Sequence, residues 1–191
     1  EEFENAIQNK QVPILVLDQK WHRLFTQTGV SAEIKRKEEK VNELLQKIKD
    51  YTTSDTLIVL AGSIPAGVDK NIYARITELV HEKGGHVLMD ADGELFRNAL
   101  KASPDIIKPN RVELEEYAQA DYRMSQEELT DMAKDFVAKG IQTVAVSMGM
   151  GGALFVKDDY AVRCPALSVK SHSTVGAGDA MVAALAYAWD K

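Results

Sequence analysis

From residue 55 onward, short apolar strand patterns alternate with helical ones, and this alternation restricts the chain more than any other feature. Thr56-Leu-Ile-Val-Leu-Ala61 is a continuous apolar run, the pattern of a strand covered on both faces rather than half-exposed. A helix is expected over 73–83, closed by Gly84, then a strand over 87–90 and a helix over 95–101. A strand over 105–108 and a helix over 111–118 follow. Ser125 with Glu128 three residues later is a capping box, opening a helix that ends at Gly140. Thr143–Ser147 is another buried strand. Residues 152–156 and 160–164 form a hairpin turning at Lys157-Asp158-Asp159. Such a chain builds an α/β fold: a mostly parallel sheet with helices on both faces. Ligands of these sheets bind beyond the C-terminal strand ends, where Gly62, Asp90, Lys108 and Ser147 would line one crevice.

Ahead of this alternation the reading is thinner. Val12–Leu17 fits a short strand, with Pro13 confining it to an edge or a start, and Trp21, Leu24 and Phe25 form a small packing cluster. Residues 31–50 form an amphipathic helix capped by Ser31, with Ile34, Val41, Leu44, Leu45 and Ile48 on one face. Its Glu/Lys face is read as solvated surface. The expected division is therefore an unassigned segment over 1–54 and one catalytic-type domain over 55–191. At 45% hydrophobic residues the chain can bury a core, and no apolar stretch reaches a membrane span. Its net charge of −6 argues against a nucleic-acid or anionic-membrane partner. Cys164 is the single cysteine, so there is no disulfide framework, and a cytoplasmic location is expected. His22, His81, His86 and His172 lack ligand spacing for a transition metal.

Four stretches can carry chemistry. In Ser173-Thr-Val-Gly-Ala-Gly-Asp-Ala180, small residues form a tight turn into an Ala-rich helix expected to be buried. Helix-start N–H groups attract an anion, and the adjacent Asp179 can take a hydroxyl proton. The plainer alternative is an aspartate near a helix cap. Gly62-Ser-Ile-Pro-Ala-Gly67 has P-loop glycine spacing, but Val68 and Asp69 stand where Lys and Ser/Thr are required. It is an ordinary strand-to-helix turn on that evidence. Asn110 and Glu113 can share a hydrated Mg²⁺ on one helix face, or simply form a capping box, and the two roles can coexist. Ser147-Met-Gly-Met-Gly-Gly152 follows a strand and precedes another, which excludes a dinucleotide-binding helix turn. Lys108, at a strand end, is either exposed or a phosphate neighbour.

Thr174-Val-Gly-Ala-Gly-Asp179 resembles the signature of the ribokinase-like (PfkB) carbohydrate kinases. Gly62–Gly67, Ile107-Lys-Pro-Asn-Arg-Val-Glu-Leu114 and Val146–Ala153 match further motifs of that family in order. Together they look most like the branch holding 1-phosphofructokinase and tagatose-6-phosphate kinase, over about residues 55–189. The resemblance implies a ribokinase-like fold and transfer of the ATP γ-phosphate to a hydroxyl of a ketohexose phosphate. Fructose 1-phosphate is the expected acceptor and tagatose 6-phosphate the alternative. It implies Asp179 as base, with Gly176, Ala177 and Gly178 forming the anion hole. Ser147, Met148, Gly149, Met150, Gly151, Gly152, Thr174 and Gly178 would meet ATP, although many relatives are acidic where this chain has Gly151. Ser63 and Lys108 would contact the phosphosugar, and Asn110 and Glu113 would organise Mg²⁺. The family's sugar-binding N-terminal part and its C-terminal end are not found, so the fold is expected to be truncated at both ends. The competing expectation is a non-catalytic fragment or fusion retaining only the nucleotide-binding half. A homodimer belongs to the full-length family member.

Overall fold

A computed structural model describes residues 30–166 and 176–190, with side chains described from residue 37. The expected strand near Pro13, the 21–25 cluster, His22, His172 and Thr174 lie outside these residues. The elements run α1 (Val30–Tyr51), β1 (Leu57–Ala61), α2 (Ile72–Glu82), β2 (His86–Asp90), α3 (Gly93–Ala99), β3 (Ile106–Ile107), α4 (Arg111–Ala118), α5 (Gln126–Ala138), β4 (Thr143–Ser147), β5 (Ala153–Lys157), β6 (Tyr160–Cys164) and α6 (Ala177–Trp189).

The six strands pair in sequence order, the first four parallel and the last two antiparallel. Parallel neighbours require crossovers, and crossovers of one hand that always step the same way put their helices on one face. That is where α2 to α5 lie, together with α1, whose Leu44 and Ile48 are buried in the same core. Ile58, Leu60, Val87, Met89, Ile107, Val144 and Val146 turn to this side. Their neighbours Leu57, Val59, Leu88 and Ile106 turn to the other, where Val182, Leu185, Ala186 and Trp189 of α6 cover them. Both faces thus carry helix, unequally among the described residues.

Local chemistry explains the boundaries. The Ser125 side chain accepts from the Glu128 N–H and the Glu128 carboxylate accepts from the Ser125 N–H, which starts α5 as the sequence indicates. At the end of α2, the N–H groups of Gly84 and Gly85 donate to the carbonyls of His81 and Val80, a Schellman arrangement. Strand β3 is shorter than expected, covering only Ile106–Ile107, although the Lys108 N–H still donates to the Met89 carbonyl at 3.0 Å. Two expectations are corrected. Helix α1 begins at Val30, so Ser31 lies inside it and is not its cap. Helix α6 is not buried all round: only Val182 is buried, and residues 176–180 are exposed. Its apolar side chains meet the sheet on one side alone.

The N-terminal strand ends carry a separate polar hub. Asp105 is nearly buried and accepts from the ring nitrogens of His81 (2.9 Å) and His86 (2.8 Å), the Val87 N–H (2.7 Å) and Gln142 Nε2 (2.7 Å). A carboxylate only accepts, so His81 carries its proton on Nε2 and His86 on Nδ1. The His86 ring packs 4.5 Å from the Trp189 ring, tying the far end of α6 to this hub.

Candidate active site

The opposite ends of the strands meet as the sequence indicates. The Gly62 N–H donates to the Asp90 carbonyl, the Lys108 N–H to the Met89 carbonyl and the Ser147 N–H to the Pro109 carbonyl, each at 3.0 Å. A further bridge pairs Asn110 with Ser147. After Ser147 the chain makes a 3₁₀ turn over Gly149–Gly151 and returns: the Met148 N–H donates to the Gly152 carbonyl at 2.9 Å. Gly152 sits at φ 86° and ψ −138°, a region closed to other residues, and a Cβ there would lie 2.0 Å from the Cys164 carbonyl oxygen. Met150 is almost wholly exposed on this loop, and Gly151 is half-buried against Met148.

Helix α6 begins at Gly176 with φ 83° and no side chain capping it. The first N–H to find a carbonyl within the helix is that of Ala180, on Gly176. Among the described residues the N–H groups of Ala177, Gly178 and Asp179 have no carbonyl partner within the helix and lie at its positive end. Beside this turn lies Lys108, 5% exposed, whose Nζ would be 3.7 Å from a Cβ on Gly178. The same ammonium is 3.0 Å from Asp90 Oδ1. A buried cation thus lies beside the backbone donors of the first turn.

Asp90 is the carboxylate in contact with that cation, and the charges of Glu113, Asp92 and Asp179 are felt in the same region. Burial pushes the Asp90 carboxyl above its ordinary range; Lys108 opposes this, while Asp179 and Asp92 add to it. Burial likewise raises Glu113, against the pull of the Asn110 N–H and Lys108, with Asp90 and Asp92 adding. The signs agree with geometry: one lysine partly compensates a crowded acidic cluster.

Asn110 and Glu113 form the capping box. The Asn110 side chain accepts from the Glu113 N–H at 2.9 Å, and Glu113 accepts from the Asn110 N–H at 2.8 Å and also from Asn110 Nδ2. Among the described residues no group of three or more His, Cys, Asp or Glu side chains is arranged to hold a metal. Mg²⁺ fits here only as a hydrated ion, which takes few protein ligands. Ser63 is exposed on the loop after β1. Tyr73 escaped the sequence reading: it is 2% exposed, and its hydroxyl donates to the carbonyls of Ala61 (3.0 Å) and Gly62 (3.3 Å). Burial, and then Asp90, push its phenol up to about 12. In the sequence it is indistinguishable from the other apolar positions of α2.

A profile of the pfkB family of carbohydrate kinases matches residues 10–191. The chain belongs to this family. It is 41% identical over 131 residues to a 1-phosphofructokinase of Rhodobacter capsulatus, covering 69% of this chain and 41% of that protein. A 1-phosphofructokinase of Haemophilus influenzae is 31% identical, covering 92% of this chain and 61% of that protein. The phosphofructokinase-2 of Escherichia coli in complex with fructose-6-phosphate superposes with a TM-score of 0.72 at 27% identity, covering 78% of this chain and 49% of that one. This pfkB chain therefore spans about two fifths to three fifths of the length of the curated relatives it matches, and its sheet has the ribokinase-like fold. No described helix is long and apolar enough to cross a membrane.

Proposed function

We propose that this pfkB chain forms the nucleotide half of an ATP-dependent kinase acting on a ketohexose phosphate, with fructose 1-phosphate as the first acceptor to test. The observation that carries the reading is the placement of the Lys108 ammonium beside Gly178, at the N-terminal turn of α6. A phosphoryl group in flight spreads negative charge over its oxygens, and catalysis is mostly positioning and electrostatic stabilisation. The N–H groups of Ala177, Gly178 and Asp179 would hold that charge, with the Lys108 ammonium reinforcing them. Gly176 supplies the turn that aims them. Asp179, exposed at the first turn, would accept the proton of the attacking hydroxyl. The loop Ser147–Gly152 would carry the nucleotide, with Thr174 as a further contact. Ser63 would meet the phosphosugar.

Glu113, oriented by Asn110, would hold Mg²⁺ through its water shell. Bound there, the ion neutralises phosphate charge and orients the leaving group. The residues 55–191 would form the kinase domain, with 1–54 leading into it. The test is release of ADP from Mg·ATP dependent on fructose 1-phosphate, with tagatose 6-phosphate as the second acceptor. Turnover with neither, alongside intact Mg·ATP binding, favours the second reading, in which the chain retains nucleotide binding without catalysis. The exposed outward side of α6 motivates that reading.

A further inference from the structure

The nucleotide-loop assignment above leaves Arg111 without a role, although its side chain is largely buried and held by two separate segments. Arg111 follows Asn110 but leaves the helix away from the Asn110–Glu113 pair. Its guanidinium is largely buried: Nη1 donates to the Met124 carbonyl, Nη2 lies 3.5 Å from Met148 Sδ, and Nε is buried without a partner among the described residues. Glu115, one turn on, lies 4.0 Å from Arg111 and accepts the Met124 N–H at 3.0 Å. Arg111 and Glu115 therefore grip both polar groups of the Met124 backbone. The third element they reach is Met148, 8% exposed, whose own N–H and carbonyl close the 3₁₀ turn with Gly152 and Gly151.

An apolar side chain of similar volume would leave the Met124 carbonyl and the Glu115 carboxylate without their cationic partner. A guanidinium that reaches two segments at once points to positioning. We propose that Arg111 is a positioning residue that fixes the Ser147–Gly152 loop against the start of α4 and the segment before α5. It borders an open cleft of about 710 Å³ shared by Asn110, Ser147 and Gly149, so loss of the brace would leave the loop room to move. The inference rests on that loop being the nucleotide loop for its functional consequence, but not for its structural one. The fork geometry matters: a lysine offers one ammonium and cannot span the carbonyl and the thioether together.

The test is amide hydrogen exchange by NMR on the whole chain, comparing wild type with Arg111→Met and Arg111→Lys, alongside Mg·ATP titration. Exchange protection at Met148, Gly151 and Gly152 is expected to fall at least tenfold in both variants, with Val144 and Val146 of β4 unchanged. Mg·ATP affinity is expected to fall by a similar factor. Should Arg111→Met fail to fold, Arg111→Lys carries the same comparison. Unchanged loop exchange in a folded variant overturns the proposal, as does a uniform loss of protection across loop and β4. Absence of Mg·ATP binding by the wild-type chain contradicts the nucleotide reading instead, and the exchange data then judge the brace alone.

Discussion

The Lys108 ammonium lies 3.0 Å from Asp90 Oδ1, joining the ends of β2 and β3 directly beneath the first turn of α6. The pair is mostly buried, 5% and 19% exposed at the side chains, and so is neither a surface ion pair nor a sealed one. Its function depends on which way the lysine's charge is spent: partly on Asp90, partly on whatever occupies the space in front of Gly178.

Removing that lysine should make stability depend on pH. Burial raises Asp90 above its ordinary 3.8 even with Lys108 beside it, so Lys108→Met pushes it further up. A carboxyl raised in the folded state contributes stability below its unfolded pKa and loses it as pH rises through the folded value. Lys108→Met should therefore lose stability from about pH 4 upward, by about 1–3 kcal/mol at neutrality for a charge left unpaired. Denaturant midpoints at pH 4, 5.5 and 7 read this out; a parallel offset at all three contradicts it.

Asp105 works with the opposite sign. Burial alone would raise it, but hydrogen bonds from His86, His81 and the Val87 N–H outweigh burial and hold it below 3.8. Its stabilisation is present above about pH 4 and lost as pH falls through the depressed value. Asp105→Asn should cost about 1–3 kcal/mol at pH 7 and flatten the acid limb of the stability profile. An acid limb identical to wild type would show that other carboxylates govern it.

Two glycine substitutions should separate binding from folding. At Gly178 a Cβ meets Lys108 Nζ at an ordinary 3.7 Å, and alanine favours helix by up to about 0.5–1 kcal/mol. Gly178→Ala should keep or raise the melting temperature while weakening Mg·ATP binding about tenfold, or 1.4 kcal/mol. Gly152→Ala drives a Cβ to within 2.0 Å of the Cys164 carbonyl at a strained φ, so it should destabilise by about 1–3 kcal/mol or more. Equal melting temperatures for the two variants would refute this account of the loop.

For the chemistry, Asp179→Asn should leave Mg·ATP affinity within a few-fold and reduce phosphoryl transfer by about 10²–10⁴, the usual worth of a positioned base. Steady-state turnover against fructose 1-phosphate checks it. A near-normal rate removes Asp179 from the role of base.

Much of this was legible in the residues because it rests on local chemistry. The Thr56–Ala61 run, the Ser125–Glu128 box and the turn at Asp158-Asp159 specify their elements without help from the rest of the chain. The adjacency of the strand ends was legible too, since the order of Gly62, Asp90, Lys108 and Ser147 follows from alternation. What was not legible depends on distance in sequence. Nothing near Tyr73 announces that its hydroxyl will hold the Ala61 and Gly62 carbonyls. Nothing near Arg111 announces Met148, 37 residues away. The Asp105 hub joins residues from four separate stretches of the chain, and its histidines show no spacing that predicts it. Helix α6 read as buried because its composition is apolar, whereas its exposure depends on what packs against it.

The central claim, a nucleotide site between the start of α6 and the Ser147–Gly152 loop, is most directly tested by isothermal titration of the chain with Mg·ATP. Wild type, Gly178→Ala and Asn110→Ala are compared, each first shown to be folded. Saturable, Mg²⁺-dependent binding that weakens about tenfold in each variant is the predicted result. A folded wild-type chain that binds no Mg·ATP, or variants that bind it unchanged, would contradict the claim.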